Sequence, residues 1–184
     1  MKRHTSFSFV FFCAISFVYT VRLSGQNNQP FFLTISPDAR AGAMGESGVA
    51  GNCDANSIFW NGAKLSFAER KTGIAFSYKP WLRSLIPDAN LSTVSAYYKP
   101  DSLSSFATSI RYFSEGNIVI SNASGVLAQY KPNEFAFDLC YARKLSDVFS
   151  ASLTGRYGRS DVYNGLYNYS PVNYWSVDAG LFYR

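Results

Sequence analysis

Few side chains in this sequence can do covalent or metal chemistry. The only histidine is His4, and the three cysteines are Cys13, Cys53 and Cys140. With no histidine beyond position 4, a Ser-His-Asp triad, a Cys-His pair or a histidine metal site cannot be assembled. Cys53 and Cys140 do not make a zinc site without further ligands. An exported chain could join them in a disulfide, but their separation does not demand one. Asp38, Glu46 and Asp54 could hold a cation, although a solvated loop explains them as well. Gly42, Gly45 and Gly48 recur every third residue, yet no strand precedes them and they do not spell the dinucleotide fingerprint. No catalytic constellation emerges and no cofactor is expected, so the sequence does not read as that of an enzyme.

The elements that would have to position any site are strands. After Gly73 the chain alternates with a period of two, which means β-structure. Ile74, Phe76 and Tyr78 oppose Ala75, Ser77 and Lys79. Val94, Ala96 and Tyr98 oppose Thr93, Ser95 and Tyr97. Phe106, Ile110 and Tyr112 oppose Ala107, Ser109 and Arg111. Phe135, Phe137, Leu139 and Tyr141 oppose Ala136, Asp138, Cys140 and Ala142. Two further runs follow, around Phe149–Tyr157 and Val177–Arg184.

The less apolar face decides what kind of sheet this is. A soluble sandwich would put long charged side chains there. Here it is mostly Ala, Ser, Thr and Gly, with single charges such as Arg111, Asp138 and Arg156. That composition suits a confined lumen. Aromatic residues make up 17 % of the chain, while mean hydropathy is only −0.06. A membrane barrel produces this combination, because lipid-facing and lumen-facing residues alternate while aromatic girdles mark both interfaces.

Connections between the runs alternate in length. Pro80–Ala89, Glu115–Asn133 and Gly158–Asn173 are long, and the second has room for strand extensions. Pro100–Leu103 and Leu145–Asp147 are short. Outer-membrane barrels have short periplasmic turns and long extracellular loops, so the first strand is expected to rise from the periplasm. The fold expected is all-β, a transmembrane antiparallel up-and-down β-barrel. About six strands are too few to close one, since bacterial examples begin at about eight. The sequence is therefore expected to be truncated.

Three regions result. Residues 1–25 read as a secretory signal. Lys2 and Arg3 precede an apolar run from Phe7 to Val21, and Ser24-Gly25 offers small residues for cleavage. The run is short for a membrane helix of about 20 residues, and Arg22 ends it. Residues 26–70, rich in Gly, Ala, Asp and Asn, read as a short helix and loops, a plug or periplasmic segment. Residues 71–184 hold the strands. The net charge of +5 is inflated by Lys2, Arg3 and Arg22, which leave with the signal, and nothing resembles a nucleic-acid footprint.

Two stretches carry a family resemblance. One is Pro37-Asp-Ala-Arg-Ala-Gly-Ala-Met-Gly-Glu-Ser-Gly-Val-Ala with Asp54-Ala-Asn-Ser-Ile-Phe-Trp-Asn-Gly-Ala-Lys-Leu. The other is Asn133-Glu-Phe-Ala-Phe-Asp-Leu-Cys-Tyr-Ala-Arg-Lys-Leu-Ser with Arg156-Tyr-Gly-Arg-Ser-Asp. The first is similar to the N-terminal segment of FadL-like barrels, and both resemble the PorV family of the type IX secretion system. Ser77-Tyr-Lys-Pro-Trp-Leu and Arg111-Tyr-Phe-Ser fit the same family. Asn61-Gly-Ala departs from it, because FadL-like barrels usually have Asn-Pro-Ala there.

The resemblance implies a barrel of about fourteen strands when complete, in the bacterial outer membrane. It implies a shuttle that binds the C-terminal signal domains of secreted cargo. Cargo would pass from the translocon barrel to a sortase-like surface attachment complex, with membrane lipids and lipopolysaccharide around the wall. The apolar loop residues Trp81, Leu82, Leu85 and Ile86 are candidate partner contacts, although Trp81 could equally end the aromatic girdle. A FadL-type transporter of hydrophobic compounds shares the fold and would need an apolar pocket in the lumen. A lipid-modifying enzyme is disfavoured by the missing histidine.

Overall fold

The alternating runs form strands because each has one row of side chains that can pack and another that can meet a partner surface. A computed structural model describes residues 30–49, 51–86, 88–122, 125–162 and 170–184. The leader expected over residues 1–25 lies outside them. Six strands make one antiparallel sheet: β1 (Thr72–Pro80), β2 (Asn90–Tyr98), β3 (Ser104–Ser114), β6 (Asn133–Lys144), β7 (Phe149–Asp161) and β8 (Val172–Tyr183). Their spatial order is β1-β2-β3-β6-β7-β8, so neighbours in space follow one another along the chain. Between β3 and β6 a separate two-stranded hairpin intervenes, β4 (Ile118–Asn122) with β5 (Gly125–Tyr130). Alternation alone leaves Glu115–Asn133 as a long connection with room for strand extensions.

Register turns the alternation into two continuous faces. One cross-strand row runs Phe76, Val94, Ile110, Phe137, Tyr157 and Trp175, each directly opposite the next. The row beside it on the other face runs Ala75, Ser95, Ser109, Asp138, Arg156 and Ser176. The apolar face is the exposed one: Leu139 is 57 % exposed and Trp175 80 %. Asp138 on the opposite face is 0 % exposed. A sheet folded for water buries its apolar face, and this sheet does the reverse.

Residues 30–68 cover the small, polar face. They form three 3-10 turns, η1 (Phe31–Thr34), η2 (Ala55–Phe59) and η3 (Gly62–Phe67), and one short helix, α1 (Ala39–Ala43). Two apolar clusters join this segment to the sheet. Near the long connections, Phe32 and Ile35 pack with Leu91, Phe113 and Ala136. Toward the short turns, Ala55, Ile58, Leu65 and Ala68 pack with Tyr97, Ala107 and Cys140. The segment thus spans the sheet from one end to the other. Among the described residues no helix is long and apolar enough to cross a membrane, which says nothing about strands.

Candidate functional site

Helical turns this short leave most of their backbone polar groups unpaired within themselves. In the covering segment, side chains at the turn starts take up some of them. Asp38 accepts from Ala41 N at 2.6 Å through Oδ1 and from Trp60 Nε1 at 2.9 Å through Oδ2. Asp54 caps η2, and Asn61 caps η3 by accepting from Ala63 N. Asp38 and Asp54, which could have held a cation, serve as caps, and Asp54 also lies 3.9 Å from Arg40. Gly48 has no Cβ, which lets the Trp60 ring lie against its backbone. Lys64 is 2 % exposed and donates to Gly48 O at 2.6 Å. Burial pushes its ammonium below the usual lysine range.

The sheet supplies donors for carbonyls of this segment. Thr93 Oγ1 donates to Pro37 O at 2.9 Å, and Ser150 Oγ to Ala63 O at 2.8 Å. Ser95 Oγ donates to Asn56 Oδ1 at 2.9 Å. Lys99, just past β2, donates to Ser66 O and Ala68 O. In the other direction, Asn61 Nδ2 donates to Leu181 O of β8 at 2.9 Å. The Ser and Thr residues that marked a lumen in the sequence therefore act here as hydrogen-bond donors to a docked segment.

A charged group crosses four strands on the same face. Asp138 accepts from Arg111 Nη2 at 3.1 Å, from Arg156 Nε at 2.6 Å and from Ser109 Oγ at 2.8 Å. Arg156 also reaches Asp178 at 3.2 Å. Arg111 lies 5.2 Å from the Phe59 ring centroid, so the segment closes over its guanidinium. The buried Asp138 carboxylate serves both arginines, and the half-exposed Asp178 supplies the second negative charge at the solvent side. The single charges were visible in the sequence; that they face one another needed the register.

Cys53 and Cys140 are both free. Cys140 lies in the apolar cluster near the short turns, and Cys53 packs against it. Burial pushes the Cys53 thiol up, away from reactivity at neutral pH. No group of three metal-ligating side chains is assembled among the described residues.

The loop residues singled out in the sequence separate into two kinds. Leu82, Leu85 and Ile86 are exposed, Leu85 by 76 %. Trp81 is half-buried and packs against the Phe32–Leu91 cluster, with Lys79 Nζ 5.7 Å from its ring. Its packing contacts lie toward the covered face. Phe31, which sequence reasoning missed, meets Trp81 edge-on at 6.4 Å and is itself 63 % exposed. No spacing signal links residues 50 positions apart, so only the fold brings them together.

Comparison with known proteins is consistent with these features. A family model described as type IX secretion system protein PorV matches residues 25–184. No curated protein matches the chain.

Proposed function

Because the chain belongs to the family of type IX secretion system protein PorV, we propose that it works in the bacterial outer membrane as a carrier of secreted cargo. It binds C-terminal signal domains, collects them at the translocon barrel and delivers them to the sortase-like attachment complex at the surface. The observation that carries the membrane placement is the reversal of faces: apolar residues stand exposed on all six strands while Asp138, Arg111 and Ser109 are buried. Lipid is the solvent for which that arrangement is stable. On β8 the outward row runs from Trp175 to Tyr183, about 27 Å along the strand. That is the order of a hydrocarbon core with aromatic residues at both borders, where lipid and lipopolysaccharide meet the wall.

Among the described residues, the outer strands β1 and β8 each pair on one side only. Lipid cannot satisfy such an edge, so the proposed barrel closes with strands beyond these six. Residues 30–68 then form its plug, and residues 1–25 the leader removed on export. The long connections face the cell exterior, which puts Leu82, Leu85 and Ile86 where cargo and translocon are met. Deletion of the gene tests the reading. Cargo should remain unattached and collect in the periplasm; normal surface cargo in the deletion strain would contradict it.

A further inference from the structure

We propose that residues 30–68 stay docked on the inner face throughout the working cycle, so that the protein acts through its loops and outer surface and opens no passage along this wall. The inference deepens the carrier reading above and rests on it.

The attachments are spread over the height of the sheet. Near the long connections Phe32 stacks on Phe113, with ring centroids 6.3 Å apart and planes within 8°. Midway, Thr93 and Ser95 hold Pro37 and Asn56, and Arg111 is capped by Phe59. Toward the short turns Ser150 holds Ala63, Lys99 holds Ser66 and Ala68, and Asn61 holds Leu181. Lys144 Nζ lies 4.7 Å from the Phe67 ring at the same end.

Undocking would break all of these together. It would leave carbonyls of the 3-10 turns without donors and uncover the buried Arg111–Asp138 pair. Isolated attachments would allow a hinge, but attachments at top, middle and bottom do not. Among the described residues the covered face also offers no continuous apolar corridor. Its two apolar clusters are separated by the row containing Ser95, Ser109, Asp138 and Arg156. A hydrophobic solute moving along it would have to cross that charged row.

The test is a staple in the full reading frame. Asn56→Cys and Ser95→Cys put one thiol on each of two positions whose side chains meet between the docked segment and β2, in a background carrying Cys53→Ala and Cys140→Ala. Oxidation after assembly should close the disulfide, and surface attachment of cargo should stay within about twofold of the reduced sample. Absence of any link between the two positions, both on oxidation and with a short bismaleimide, would overturn the docking. Loss of attachment by tenfold or more on oxidation, restored by reductant, would overturn the fixed plug. If the deletion strain itself attaches cargo normally, the carrier reading has failed instead. Planar-bilayer recording of the unmodified protein adds a readout independent of these variants: conductance should stay closed when a cargo C-terminal domain is added, and openings on addition would refute the proposal.

Discussion

Asp138 and Arg156 face each other across β6 and β7, with Arg156 Nε 2.6 Å from Asp138 Oδ1 and the carboxylate fully buried. Arg111 approaches the other oxygen from β3 at 3.1 Å. One carboxylate thus joins three adjacent strands on the covered face. Removing it as Asp138→Ala leaves the buried Arg111 guanidinium without its partner and Arg156 with Asp178 alone, a change that costs about 3–5 kcal/mol. Urea titration of the protein folded in lipid vesicles should show that loss. A change below about 1 kcal/mol would mean the pair is solvated and the inner face is open.

Gly62 and Cys140 form a steric pair. A Cβ at position 62 would overlap Cys140 Sγ. This accounts for the departure from Asn-Pro-Ala noted in the sequence, since a proline there would meet the same sulfur. Gly62→Ala should destabilise by about 1–3 kcal/mol through overpacking, and Cys140→Ala should relieve most of that in the double variant. Equal effects in both backgrounds would show that the two sites are uncoupled.

The outward row gives a depth-dependent prediction. Leu139→Arg, near the middle of the apolar band, should cost about 2–4 kcal/mol in lipid, and Tyr141→Arg, nearer the border, about 0–1 kcal/mol. Stability in vesicles of uniform thickness reads both. If the face met water instead, each exposed substitution would fall within about ±0.5 kcal/mol.

The strands and their faces were legible in the sequence because period two survives any tertiary context. Phe135-Ala-Phe-Asp-Leu-Cys-Tyr-Ala displays its two faces residue by residue. The β4–β5 hairpin was not legible: Ile118-Val-Ile is too short and uniform to show a face. The docking of residues 30–68 was hidden for a different reason. Its bonds run from side chains to backbone carbonyls, as from Ser150 to Ala63, and a carbonyl acceptor leaves no mark on residue type. The Phe31–Trp81 contact and the Arg111–Asp138–Arg156 group depend on register and path, which alternation alone does not fix.

Acid should loosen the β2–β3 turn. Asp101 accepts from Leu103 N at 2.7 Å and from Ser104 N at 2.5 Å. These backbone donors hold its carboxyl below the usual range. A folded pKa below the unfolded one gives stability that is present above the ordinary value of about 3.9 and lost as pH falls through the folded pKa. Melting followed from pH 6 downward, over a range of about four units, should show an acid limb that Asp101→Ala reduces. An unchanged limb would assign acid sensitivity to other carboxylates.

The most direct measurement is affinity purification of the full reading frame from outer membranes, with mass spectrometry of what accompanies it. The wild-type protein should bring down a translocon barrel and cargo C-terminal domains. Leu85→Asp, changing an exposed apolar residue of the loop, should reduce that recovery about 30-fold, the effect of a hot spot of about 2 kcal/mol, while leaving membrane insertion intact. Recovery of lipids alone, or recovery of the protein outside the membrane fraction, would contradict the account.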